Sequence, residues 1–351
     1  MIVLRAATAN ASGRARRHGT SPSPTEFRNT NVGASGQSSP RSRTIPHTSE
    51  TTRPPLPIAV TGANGHVGRR LLRERPDARA IVRSERAAAT LAGHADVRVV
   101  DYADRAALAS ACAGCEAIVH LVGIIREGAH ASFHDAHEAP AEALARAAGD
   151  AGASRIVYLS ILGADPGSSN ACLASRAHTE AILADSGIPT VSLRVPMVLG
   201  EDDYAAAALF RNARAARRLA FTFRAGSMEQ PIYAGDVVSA IGAALSENLA
   251  PGTLELAGPL ALSRRDLIAA AAKALGTEPA HVLSLPLWLG QALAWTLERL
   301  AANPPLTRAM LGVLDHDDDI DPTPAAEALG IHLTPLAETL QLVLPAPEGS
   351  A

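Results

Sequence analysis

Glycines stand at positions 62, 65 and 68 of the stretch Thr61-Gly62-Ala63-Asn64-Gly65-His66-Val67-Gly68, between the apolar run Ile58-Ala59-Val60 and an arginine-rich helical segment. Each glycine meets a separate demand. The first lets the chain turn sharply out of a strand, the second lets backbone approach a pyrophosphate, and the third lets the following helix pack closely on a sheet. The anion is then met by a helix N-terminus, where backbone N–H groups lack intrahelical partners. Thr61, Gly62, Asn64, Gly65, His66, Val67 and Gly68 are therefore the expected phosphate-side contacts of a dinucleotide. A strand before the motif, a helix after it and a second strand at Ala78 to Val82 supply the context that a lone glycine triplet lacks.

The second strand ends in Val82-Arg83-Ser84, with Arg83 21 residues past Gly62. NAD-selective sites carry an acid there for the ribose hydroxyls. An arginine favours a 2′-phosphate instead, so NADP(H) is expected ahead of NAD(H), although Glu85 could rotate in to favour the opposite choice. Asp101 and Tyr102 end the third strand and suit the adenine edge. His120-Leu121-Val122-Gly123 end the fourth, where Leu121, Val122 and Gly123 would run alongside the cofactor.

Apolar strand runs alternate with alanine-rich helical stretches from residue 56 onward, the pattern of βαβ units. Strands are expected at 57–61, 78–83, 96–100, 116–122, 154–160 and 189–195, and helices at 68–75, 104–112, 137–151 and 173–186. Past Gly200 the alternation gives way to shorter strands (230–233, 253–256) and helices at 236–246, 263–275 and 287–301. The expected fold is α/β, a doubly wound parallel sheet of the Rossmann type with a smaller C-terminal α/β lobe. The expected organisation is an Arg/Ser-rich tail over 1–54, a dinucleotide-binding domain over 55–200 and an interleaved substrate or partner lobe over 201–345.

The tail sets eight arginines against Glu26 and Glu50 and has no apolar periodicity, so it cannot bury enough surface to fold. Its composition resembles a mitochondrial transit peptide, which would mean the matrix, yet an over-long start in a GC-rich bacterial gene looks the same; a bacterial, cytoplasmic setting is preferred. A net charge of −3 with 19% charged residues leaves no basic field for nucleic acid. Of the 32 basic residues only Lys273 is a lysine. Three cysteines are too few for a disulfide framework, and Cys112 and Cys115 read as buried small hydrophobes. His130, His134 and His137 with Asp135 and Glu138 lack a visible fourth ligand, so no metal is expected. The acidic run Asp315 to Asp319 reads as a solvated linker and only loosely imitates a calcium loop. Leu283 to Leu297, with Trp288 and Trp295 on one helical face, is too short and interrupted to span a membrane; a helix covering the second lobe's core is preferred over a peripheral membrane contact.

Taken in order, the glycine motif, Asp101 to Asp104, the strand end Tyr158-Leu159-Ser160, and Leu193-Arg194-Val195-Pro196 before Leu199-Gly200 resemble the extended and atypical short-chain dehydrogenase/reductase superfamily, an NAD(P)-binding, epimerase-like group, over residues 57 to about 345. More narrowly, His120 to Arg126, Leu159 to Asp165, Gln230 to Asp236, Glu255 to Pro259, Leu285 to Trp288 and Pro304 to Thr307 resemble the branch of the nucleotide-binding accessory subunit of respiratory complex I and its bacterial relatives. The superfamily's proton relay is Tyr-x-x-x-Lys on the helix after strand five. The aligned positions here are Cys172 and Arg176: a thiol falls short of a phenol's reach, whereas an arginine stays charged and can still grip a ribose. The resemblance adds Ser160, Arg176 and Pro196 to the expected cofactor contacts and makes Ser160 the one remaining candidate for a catalytic group. It implies a cofactor-holding scaffold or redox sensor, with a protein partner or redox assembly. The alternative is an active NADP(H)-dependent oxidoreductase or epimerase on an unknown small substrate.

Overall fold

A computed structural model describes residues 57–344 apart from 129–130, 202, 216–219, 278–280 and 314. The tail expected over 1–54, and His130, lie outside the described residues.

The first half of the chain runs β1 (Ala59–Thr61), α1 (His66–Glu74), β2 (Arg79–Val82), α2 (Glu85–Ala89), β3 (Val97–Val99), α3 (Arg105–Cys112) and β4 (Ala117–His120). A π-helical turn at His134–Glu138 leads into α4 (Ala139–Ala151), followed by β5 (Arg155–Ile161), α5 (Ala171–Ala184), β6 (Thr190–Val195) and β7 (Val198–Leu199). Next come α6 (Tyr204–Ala215), β8 (Ala220–Phe223), β9 (Met228–Glu229), β10 (Ile232–Tyr233), α7 (Ala234–Ala244), β11 (Gly252–Glu255), β12 (Leu262–Ser263) and α8 (Arg264–Ala274). The chain closes with β13 (Val282–Leu285), α9 (Leu287–Leu300), α10 (Arg308–Val313), α11 (Thr323–Leu329) and α12 (Leu336–Leu342).

Seven strands form the central sheet in the order β11-β6-β5-β4-β1-β2-β3, with every pairing parallel. The order reverses at β1, which has β2 on one side and β4 on the other. Register places Thr61 level with both Ile81 and His120, so a crevice forms beyond the carboxyl ends at this switch point. Such a sheet is covered on both faces, which is why its strands read as continuous apolar runs. Leu108, Leu144, Ala148 and Leu183 from α3, α4 and α5 pack on one face, and Leu71, Val237, Ile241 and Leu329 from α1, α7 and α11 on the other.

Gly252–Glu255, expected in the mixed region, is the seventh strand of the main sheet: Leu254 sits level with Leu193 of β6, and α7 packs over it. Elements α6, β8, α8, β13 and α12 enclose a separate core of Leu209, Phe210, Leu267, Ile268 and Leu340. Here β8 pairs in parallel with β13, a 62-residue separation (Ala220 with Val282) that local pattern does not announce.

Two expectations change. Helix α9 does not cover the second core: only Gly290 and Ala294 are buried, and it rests through Leu293 and Leu297 on a small cluster with Leu306 and Leu311. Trp288 and Trp295 are 67% and 44% exposed, with the Arg299 guanidinium 4.0 Å from the Trp295 ring centre. The acidic run is exposed at His316, Asp317 and Asp319 but is anchored, not a free linker. Asp317 accepts from the Ser227 hydroxyl at 2.6 Å and the Met228 N–H at 3.0 Å. Arg224 pairs with Asp315 and Asp317, which holds a residue whose φ of +45° is unusual outside glycine. Among the described residues no helix is long and apolar enough to cross a membrane.

Candidate dinucleotide site and adjoining cavity

The glycine turn has the expected form. Gly62 sits at φ +71°, and a Cβ added there would lie 2.9 Å from the Leu121 carbonyl carbon and the Val122 nitrogen. A Cβ on Gly68 would lie 2.5 Å from the Ala63 oxygen, so both positions are closed to side chains by backbone. Helix α1 starts directly after Gly65, which caps it without a side-chain hydrogen bond. Its first-turn N–H groups therefore lack side-chain acceptors and match an anionic ligand. Asn64 meets Arg69 through its backbone oxygen at 3.2 Å, and Val67 packs into the core. His66 places a buried, unpartnered Nε2 at this end of α1, and burial lowers its pKa. Thr61 turns its hydroxyl to Nδ1 of the buried His120 at 2.7 Å, binding β1 to β4 instead of reaching into the crevice.

Tyr102, expected at the adenine edge, is a support of the turn. Its hydroxyl accepts from the Gly62 N–H at 3.0 Å and donates to the Ile81 carbonyl at 2.9 Å, so neither is left for a base. Burial pushes the phenol up to about 12, against the Gly62 hydrogen bond and the charge of Arg83. Tyr102→Phe leaves a buried N–H and carbonyl unmatched; we expect a stability loss of about 1–3 kcal/mol in urea unfolding together with weaker nucleotide binding.

Beyond β2, Arg83 is exposed and has no partner among the described residues, while Ser84 caps α2 by accepting from the Ala87 N–H at 3.3 Å. Glu85 opens α2. Asp101 is exposed and accepts from the Ala103 N–H at 3.0 Å. The end of β2 thus presents a free cation with no competing ion pair.

After β4, Leu121 and Val122 send their side chains into the cores on opposite faces of the sheet. Gly123 lies directly against the Arg176 guanidinium: an added Cβ would be 2.2 Å from one terminal nitrogen. Arg176 also donates to the Tyr158 hydroxyl at 2.9 Å and the Leu159 carbonyl at 3.3 Å, and its Nε is buried without a partner. The structure therefore brings Gly62 against the Leu121–Val122 backbone and Gly123 against Arg176 at the carboxyl end of β4. His120, whose Nε2 is also buried and unpartnered, is driven down to about 3 by burial and by the charge of Arg176, and stays neutral.

The remaining candidates are occupied elsewhere. Ser160, expected as a cofactor contact and possible catalytic group, donates to Glu180 at 2.5 Å in a buried network. Arg194 closes that network on Glu180 at 2.7 Å and reaches Glu255 at 3.2 Å. Strand alternation puts Ser160 and Tyr158 on one face, where both meet α5, Ser160 through Glu180 and Tyr158 through Arg176. Cys172 is buried with Sγ 3.8 Å from the Ile124 carbonyl, and burial raises its thiol pKa. His137 is fully buried between Ser175 at 3.2 Å and Ile124 at 2.9 Å, whereas His134 points outward toward Glu138 at 3.6 Å, so these two histidines do not converge. Cys112 and Cys115 are buried thiols.

A cavity of about 380 Å³ adjoins the crevice, lined by Ile125 beyond Gly123, Ile161 and Leu162 at the end of β5, and Pro196, Met197 and Val198 beyond β6. Pro196, expected at the cofactor, belongs to this wall. Asp203, Glu229, His316 and Asp318 supply polar groups. Glu229 is engaged by Arg264 at 2.6 Å. Asp318 escaped the sequence reading because its burial depends on contacts some ninety residues away, such as Asp317 with Ser227.

Residues 62–219 match the family model described as NAD(P)H-binding. This stretch is an NAD(P)H-binding domain. No curated protein matches the sequence. Among solved structures, UDP-N-acetylglucosamine 4-epimerase from Bacillus cereus is 22% identical, with a TM-score of 0.61 over 82% of this chain and 97% of its own. The Escherichia coli NADPH-dependent quinone oxidoreductase QOR2, complexed with NADPH, is 24% identical with a TM-score of 0.61 over 81% and 98%. The Bordetella bronchiseptica enzyme WbmG in complex with NAD is 17% identical with a TM-score of 0.62 over 85% and 94%. These neighbours share the doubly wound fold of the NAD(P)H-binding domain. The side-chain-free cradle at Gly62 and Gly68 and the unpartnered Arg176 Nε beside Gly123 fit a dinucleotide lying across the sheet's carboxyl ends.

Proposed function

We propose that the protein holds NADP(H) without the Tyr-x-x-x-Lys proton relay, as a scaffold or redox sensor. One observation carries this reading: α5 offers the crevice Arg176, which can grip but not exchange a proton, while the nearby hydroxyls and thiol are buried and engaged by protein groups. Ser160 is tied to Glu180, Tyr158 is fully buried against Arg176, and Cys172 is buried with its pKa raised. A bound nicotinamide would supply or accept a hydride; Arg176 and the backbone at Gly123 would orient it. The phosphates would rest on the N-terminus of α1, and Arg83 would meet a 2′-phosphate, which supports NADP(H) over NAD(H). On its motifs we place the chain beside the complex I accessory-subunit branch, which makes a protein partner within a redox assembly part of the proposal.

Arg83→Ala should weaken NADPH binding by about 10- to 100-fold, as expected for a lost charge-assisted hydrogen bond, and leave NADH binding unchanged. Fluorescence titration with both nucleotides checks this; equal losses for the two would refute the role of Arg83. The second reading, an active NADP(H)-dependent oxidoreductase, is favoured by the apolar cavity beside the crevice. Oxidation of bound NADPH by any member of a carbonyl and quinone panel would support it over the scaffold reading.

A further inference from the structure

Asp318 differs from its acidic neighbours. Glu229 is bound by Arg264 and Asp317 by Ser227 and Met228, whereas the Asp318 carboxyl has no hydrogen-bond partner among the described residues and lines the apolar cavity. Asp318 is half-buried and its unpartnered oxygens are not sealed from solvent, so the carboxyl is open to a ligand in the cavity. Among the described residues no lysine or arginine lines the cavity, and its other ionisable residues are Asp203, Tyr204, Glu229 and His316.

We propose that the cavity binds a neutral, apolar molecule bearing a carbonyl-type oxygen, to which the Asp318 carboxyl donates a hydrogen bond. This deepens the oxidoreductase reading above and rests on it for any reaction, though not for binding. Mostly apolar walls reward an apolar ligand. An anionic ligand such as a nucleoside diphosphate sugar would bring its charge to carboxylates with no cation in the lining to compensate.

The donor role needs a protonated carboxyl near neutral pH. Burial, then the charges of Glu229 and Asp317, push Asp318 up to about 7, against the smaller opposing effect of Arg264. Asp203, Tyr204 and His316 are the other titratable groups that line the cavity among the described residues. Since the raised pKa means a proton held below about pH 7, binding should be full in mild acid and fall as pH rises through that value.

The test is calorimetric titration of the protein with duroquinone, a fully substituted quinone that does not add to thiols, and with UDP-glucose, each with and without NADP+. Duroquinone should bind at pH 6 and roughly tenfold more weakly at pH 8.5, consistent with one lost hydrogen bond; UDP-glucose should not compete with it. Asp318→Asn, whose amide donates at every pH, should keep duroquinone binding and lose its pH dependence, which separates Asp318 from His316. Absence of duroquinone binding at pH 6, a pH-independent wild type, an asparagine variant that retains the pH dependence, or preferred binding of UDP-glucose would each overturn the inference. Failure of the cofactor reading would look different: NADP+ would not bind while duroquinone still did.

Discussion

Gly62→Ala should abolish nucleotide binding and destabilise the fold by roughly 2–5 kcal/mol, the sum of a left-handed backbone cost for alanine and an overpacked contact. The new methyl would meet the backbone of Leu121 and Val122 at 2.9 Å, and that segment cannot move without shifting the end of β4. The Tyr102 hydroxyl bond to the Gly62 N–H would be strained at the same time. Urea unfolding reads the stability loss, and NADPH titration of the remaining folded protein reads the binding loss. A variant that binds NADPH normally would show that the turn does not serve the nucleotide. The effect should exceed that of Arg83→Ala, because the turn presents the phosphate site itself and Arg83 only one group of the ligand.

Glu180→Ala should cost about 3 kcal/mol, the low end for breaking a buried ion pair because Arg194 keeps Glu255. Glu180 joins α5 to β5 through Ser160 and to β6 through Arg194, so its removal leaves the buried Ser160 hydroxyl unmatched and Arg194 with Glu255 alone. Ser160→Ala removes a donor and leaves the ion pair standing; its loss in urea unfolding should stay near 1 kcal/mol. The comparison separates a structural Ser160 from a catalytic one. A large change in nucleotide turnover with little change in stability on Ser160→Ala would restore the catalytic role that the geometry removes.

The fold was legible because fully buried parallel strands announce themselves as apolar runs, and because the glycines at 62 and 68 answer local steric demands that spacing alone reveals. The six strands from β1 to β6 and the helices α1, α3, α4 and α5 follow from that, whereas the short α2 was not expected. Side-chain direction was much less legible. Tyr102 and Ser160 both end strands where a cofactor contact is reasonable, yet one supports the glycine turn from below and the other is tied beneath α5, through partners 40 and 20 positions away. That the acidic run is anchored was not legible because nothing local shows that Arg224 and Ser227 fold onto it. Trp288 and Trp295 share a face as their spacing requires, but spacing does not say whether that face is covered.

The most direct test of the central claim is a fluorescence titration of the protein with NADPH and with NADH, followed by absorbance of the bound nucleotide over time. The account predicts NADPH binding at least about tenfold tighter than NADH, the contribution of one charge-assisted contact at Arg83, with the bound cofactor remaining reduced in the absence of a cavity ligand. Tighter binding of NADH, or no binding of either nucleotide, would contradict it.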